Sequence, residues 1–273
     1  MVRTTWRGSA RSIGPLLLVL IVLGTGQAAA ARRAPTRPPE LGAPLHVGGT
    51  AVVMANPRRN LRPQPDFLPV CATKGWQNQE CTHQVLAAIE HARALEGVKR
   101  PRMVLPRNYD SLTVAEQTFV VTDLERVARG LKPFAGLTRP LNAASHAAAA
   151  AKVDPMPVVS LLRALGVTEY GSIWAGDFGP LASDYDWMYN DGYASNGINL
   201  ACLTPQSPGC WGHRDNILGT YQHKPTLLAG AGTAKPKGDS IAEVMTGGSG
   251  RAPAFTYSWR TAKRHGANAR HAR

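Results

Sequence analysis

Cys210-Trp211-Gly212-His213-Arg214-Asp215-Asn216-Ile217-Leu218-Gly219 gathers a thiol, an indole, an imidazole, a guanidinium and a carboxylate into one short run that closes on an apolar pair and a glycine. Such density marks either a site or a fixed corner. His213 titrates near neutrality and can donate, accept or ligate with little tuning. Gly212 lets backbone approach whatever lies opposite, and Arg214 can make two parallel hydrogen bonds to a carboxylate. The competing reading is that His213 and Arg214 only cap and orient a short helix beginning near Asp215.

Working outward, Pro180 suits a first helical position and Gly192 a stop, so residues 181–191 read as a helix. Asp184, Trp187 and Asp191 fall at i, i+3 and i+7, which lines two carboxylates and an indole along one face. That face reads either as part of a site or as a solvated acidic face with Trp187 at the edge of the core. Residues 193–210 are a polar, turn-rich excursion returning to the His213 run. Beyond Leu218 the pattern turns to strands: 226–234, 240–246 and 254–259 alternate or run apolar, separated by turn residues. Phe255, Tyr257 and Trp259 share a face. Helices first and strands last imply an α+β fold.

The helices upstream are equally legible. Val85, Leu86, Ile89 and Ala92 predict an amphipathic helix over 82–96, with Thr82 as its cap. Thr113 with Glu116 forms a capping box for the next helix, which Gly130 and Pro133 end. Residues 137–152 are alanine-rich and predict a third helix, buried along Leu137, Leu141, Ala144, Ala148 and Ala151.

Gly212-His213-Arg214-Asp215-Asn216-Ile217-Leu218 resembles the Gly-His-Arg-x-Asn-Ile-Leu signature of bacterial CAP-domain proteins, the secreted superfamily of cysteine-rich secretory proteins, antigen 5 and pathogenesis-related 1. Three more segments match in the family's order. Residues 124–133 resemble its first helix and exit, Ile173-Trp174-Ala175-Gly176 its Asn-Ile-Ala-x-Gly corner, and Trp187-Met188-Tyr189-Asn190 its Trp-Met-Asn segment. The resemblance implies an α-β-α sandwich with an antiparallel sheet between helices, preceded here by a helical extension. It also implies a His/Glu/Glu/His site that can take a divalent metal such as zinc. His213 matches the second histidine and Asp191 is the nearest equivalent of the second glutamate. His146 is the candidate for the first histidine, but the usual spacing falls on Ala148, and His146 lies on the opposite side of that helix. The family's corner glutamate is replaced by Gly171; Glu169 reaches that role only through a two-residue slip.

Residues 1–31 read as a signal peptide, with Arg3, Arg7 and Arg11 before a short apolar core and a run of alanines. That core is too short for a membrane span, which needs about 20 residues. Export makes the four cysteines readable as disulfides, with Cys71–Cys81 and Cys202–Cys210 the simplest pairing. Of the net charge of +13, the leader carries three, residues 32–63 five and residues 260–273 five, so residues 64–259 are neutral. The basic pI therefore gives no reason to propose a nucleic-acid groove. The organisation expected is a signal peptide (1–31), a disordered basic Pro/Arg-rich linker (32–69), a helical extension (70–112), the CAP domain (113–259) and a basic disordered tail (260–273).

These readings imply a secreted or wall-associated, non-catalytic module that binds a lipid, a divalent metal or an anionic wall polymer. His213, Asp191, Asp184, Trp187 and Arg214 would line its cleft. The alternative is a metal-assisted hydrolase using His213 and Asp191. The chain has no Gly-x-Ser-x-Gly elbow and no His-Glu-x-x-His helix to support it.

Overall fold

Alternate residues of the strand Thr226–Thr233 meet different neighbours, and this alternation sorts the molecule into layers. The computed structural model describes residues 61–176, 179–190, 211–219, 221, 224–234 and 240–269. Among them the elements run α1 (Leu68–Lys74), α2 (Gln79–Leu95), α3 (Val114–Ala128), β1 (Gly136–Thr138), α4 (Arg139–Ala151), α5 (Val159–Ala164) and β2 (Val167–Ala175). Then come α6 (Gly179–Tyr189), α7 (Gly212–Ile217), β3 (Thr226–Thr233), β4 (Ile241–Gly248), β5 (Phe255–Ser258) and α8 (Trp259–Arg264). Leu227, Ala229 and Ala231 of β3 join the main core with α3, whereas Leu228 packs with Leu141 of α4 and Val244 of β4. The fold is therefore mixed α and β, with α3 and α4 on opposite faces of one sheet.

The sheet order is β2-β4-β3-β1-β5. Every pairing is antiparallel except β1 with β3, which is parallel through Leu137 and Ala229. The sheet is thus mixed rather than antiparallel. The reason is that Leu137, expected in the third helix, instead extends the chain as β1. Pro140 then opens α4 one turn later, where a missing N–H costs nothing.

The capping box on α3 is present: Glu116 N donates to Thr113 Oγ1 at 3.3 Å and Thr113 N to Glu116 Oε2 at 2.8 Å. By contrast α2 starts earlier than the apolar pattern predicts. Asn78 caps it, accepting from Glu80 N at 2.9 Å, and the Cys71–Cys81 disulfide ties α1 to its first turn. Thr82 is an ordinary residue of that helix. Phe119, Val120, Val121 and Leu124 of α3 are all buried, each contributing about 1.5–3 kcal/mol by leaving water.

Packing also reaches beyond the expected core. Leu61 N donates to Tyr189 O at 2.8 Å, so the described chain is engaged before Cys71. Residues 259–264, expected partly as tail, form α8. Ala262 and Ala267 are buried there, and Asn268 N donates to Val104 O at 2.9 Å. No helix among the described residues is long and apolar enough to cross a membrane.

Candidate functional site

The segment Gly212–Leu218 divides its side chains between interior and surface. Trp211 takes a left-handed conformation at φ 62° and turns the chain into α7. Arg214 is buried; its Nη1 donates to Met188 O at 2.7 Å and its Nη2 pairs with Glu96 Oε1 at 2.7 Å. Asn216 Nδ2 donates to Ser172 O at 2.8 Å, and Ile217 and Leu218 enter the core. Asp215 is exposed and His213 partly so, with His213 Nε2 3.5 Å from Asp154 Oδ1 in the loop after α4.

The four segments that carry the family resemblance meet here. Arg126 of α3 donates from Nη1 to Gly219 O at 3.1 Å, just past the signature, and its guanidinium lies 4.4 Å from the Phe134 ring centroid. Trp187 Nε1 donates to Trp174 O at 3.0 Å, joining the Trp-Met segment to the corner. Arg214 joins that same segment to the signature through Met188 O.

The other expected site residues are not gathered at one surface. Asp184 and Trp187 have no exposure, so the helix face they share is interior, neither a cleft wall nor a solvated acidic face. His146 is exposed on α4, and its Nδ1 lies 2.6 Å from Thr233 O, a geometry that requires the Nδ1–H tautomer. Asp191, Cys202 and Cys210 lie outside the described residues.

Gly171 explains the absent corner glutamate. A Cβ there would stand 2.8 Å from Asn216 Oδ1 and 2.9 Å from Asn216 Cβ, with the Tyr221 hydroxyl closer still. The signature asparagine and Tyr221 fill the space that a side chain at 171 would need. Glu169 is turned to Lys224, Oε1 to Nζ at 3.1 Å, and does not replace it. Among the described residues no three His, Cys, Asp or Glu side chains are grouped so as to hold a metal ion. The described part of the expected ligand set therefore does not fit zinc, which takes three or four such ligands.

What spacing alone missed is a buried ionic cluster joining α2, α3, α6 and α7. Glu125 Oε1 accepts from Arg93 Nε at 3.1 Å and pairs with Arg93 Nη2 at 3.0 Å. Glu125 Oε2 accepts from Tyr189 OH at 2.9 Å and from Arg129 Nη1. Arg129 Nη2 reaches Glu96 Oε2 at 2.6 Å, and Glu96 Oε1 holds Arg214. Burial pushes the Glu125 carboxyl up, but the Arg93 and Arg129 guanidiniums overcome it and hold it at about 2. Asp184 faces the same carboxylate; burial and then the Glu125 charge push it well up, and the pull of Arg93 and Arg129 does not overcome them. The available sequence signal was the i, i+4 spacing of Glu125 and Arg129 on α3.

A second buried group lies where α3 crosses the sheet. Glu243 of β4 accepts from Thr122 Oγ1 at 3.3 Å, and burial pushes it up to about 8 against the pull of that hydroxyl and Arg126. Asp123 accepts from Phe134 N at 2.8 Å; burial raises it well above the usual carboxylate range, and Arg126 opposes the rise.

Comparison of the chain with protein-family models, with curated proteins and with solved structures returns no match in any of the three.

Proposed function

We propose that this chain is an exported CAP-like domain that binds a ligand without catalysis, at the surface that presents His213 beside Asp154. One observation carries the reading. The four segments that resemble the family are hydrogen-bonded to one another, through Arg126, Trp187 and Arg214, in an arrangement that leaves His213 partly exposed beside Asp154. An imidazole 3.5 Å from a half-exposed carboxylate can accept from or donate to a polar ligand. The partner class that suits an exported chain is a wall polymer, whose hydroxyl groups the His213–Asp154 pair can meet without the basic arms. Catalysis is less well supported, because Asp184 is sealed inside and no nucleophile motif accompanies the His213–Asp154 pair.

Co-sedimentation of the oxidised protein, signal removed, with isolated bacterial walls tests this. The protein should pellet with the walls, His213→Ala and Asp154→Asn should weaken retention at least fivefold, and a variant lacking residues 32–60 should keep it within twofold. Retention lost with residues 32–60 and untouched by His213→Ala would transfer binding to the basic arm and overturn the proposal.

A further inference from the structure

A cavity of about 240 Å3 lies away from His213, between the start of α2, the turn Tyr109–Ser111, α3 and the first residues of α6. Its wall includes Trp76, Thr82, Tyr109, Asp110, Gln117 and Leu181, and among the described residues none that lines it is basic although the chain carries a net charge of +13. At about 30 Å3 per water, the space matches a ligand of about eight heavy atoms.

The wall is built rather than incidental. The Trp76 ring is seated on Gly179, where a Cβ would stand 2.8 Å from the indole Cγ, so a side chain at 179 would dislodge it. Gln117, only 5% exposed, donates from Nε2 to Tyr109 O at 2.9 Å and so fixes its amide against the turn. That bond uses one of the amide's two N–H donors. Among the described residues its Oε1 has no hydrogen-bond partner, and neither has the Tyr109 hydroxyl, also buried. The wall thus offers unmet acceptors, Gln117 Oε1 and the phenol oxygen, beside the phenol O–H and the second amide N–H, and Asp110 adds a carboxylate that only accepts. Burial, with Asp184 and Asp110 adding to it, pushes the Tyr109 phenol well up, so the phenol stays protonated.

We infer that this cavity binds a small primary ammonium group on a short stem. An alkylammonium brings N–H donors and no acceptor, which complements unmet acceptors and a carboxylate. Two aromatic side chains in the wall add attraction for a cation. An anion would meet Asp110 with no compensating positive charge, and a neutral alcohol would forgo both the charge pairing and the ring attraction. The site is independent of the His213 surface: neither reading needs the other to hold.

The test is calorimetric titration of the oxidised protein, signal removed, with n-butylamine at neutral pH, where an alkylamine is protonated because such groups titrate near ~10. n-Butanol and acetate serve as the neutral and anionic controls. The expected result is saturable binding of butylamine in the millimolar range or tighter, at least tenfold stronger than butanol. Asp110→Asn, an exposed position that folding tolerates, should weaken it about tenfold. Gln117→Leu should weaken it further, and His213→Ala should leave it unchanged. Absence of saturation to tens of millimolar, equal binding of butanol, or equal binding by Asp110→Asn would each overturn the inference.

Discussion

Glutamine at position 243 should stabilise this protein at neutral and alkaline pH and leave it nearly unchanged in mild acid. Glu243 sits on β4 facing α3, fully buried, with its carboxyl pushed from 4.5 up to about 8 mainly by burial. The folded state therefore keeps a proton that the unfolded chain releases. An acid whose folded value lies above its unfolded one costs nothing below the unfolded value, and its cost grows as pH rises toward the folded value. Each pH unit in the window from 4.5 to about 8 costs about 1.4 kcal/mol, so the deficit at pH 7 is about 3 kcal/mol and levels off at about 5 kcal/mol. Glutamine keeps the shape and can still accept from Thr122 Oγ1, but has no proton to lose.

The assay is urea unfolding followed by tryptophan fluorescence across that window. With a slope of about 1–3 kcal/mol per molar urea, Glu243→Gln should raise the midpoint by about 1 M or more at pH 7. The gain should shrink steadily toward zero at pH 4.5, the lower end of the window. A midpoint gain that does not vary with pH, or a variant less stable throughout, would refute the account. Glu125 works in the opposite sense. Its folded value of about 2 lies below the ordinary 4.5, so its contribution is complete above 4.5 and is lost as pH falls toward 2. The two together place maximum stability of the wild-type chain in mild acid, and Glu243→Gln should move that maximum upward.

Further substitutions separate clasp from surface. Arg214→Met leaves Glu96 Oε1 without its guanidinium and frees Met188 O, and should cost about 3 kcal/mol in chemical denaturation, whereas His213→Ala should stay within about 0.5 kcal/mol. Asn78→Ala should cost about 1 kcal/mol by uncapping α2 while Thr82→Ala costs less, in the same assay. Gly171→Glu should destabilise by about 1–3 kcal/mol or more because Asn216 and Tyr221 occupy the space its side chain would need. Zinc calorimetry of the oxidised protein should show no micromolar isotherm dependent on His213; such an isotherm would show that residues beyond those described complete a metal site.

How far the sequence could be read depended on how local the governing interaction was. The capping box at Thr113 and Glu116 involves residues three apart, and it stands as written. The strands at 226–233 and 241–248 declared themselves through apolar content and turn residues. The start of α2 did not, because the helix begins on a polar turn in which only Cys81 is buried, and the apolar pattern is silent until Val85. β1 was invisible for a similar reason: three residues carry no periodicity, and their strand character comes from pairing with β3 and β5, distant in sequence. Asp184 was misjudged as surface because a carboxylate on a helix is normally solvated. Nothing within one helix reveals that the Glu125 and Arg93 side chains of two other helices stand against it.

The ionic cluster also explains why the helical extension and the His213 segment belong to one design. Glu96 lies just past α2, in the extension, yet its two carboxylate oxygens divide between Arg129 of the α3 exit and Arg214 of the signature. Arg93, one turn earlier on α2, holds the other end of the cluster through Glu125. Three guanidiniums face the carboxylates of Glu96 and Glu125, and burial pushes Asp184, the third acid, toward the neutral form. A buried guanidinium without a partner is far more costly than a paired one. Removing α2 would thus leave Arg214 without its carboxylate and loosen the turn that presents His213. On this argument the extension is the counterion of the signature, and truncation to residue 113 should release His213 from Asp154 as surely as any substitution in α7 itself.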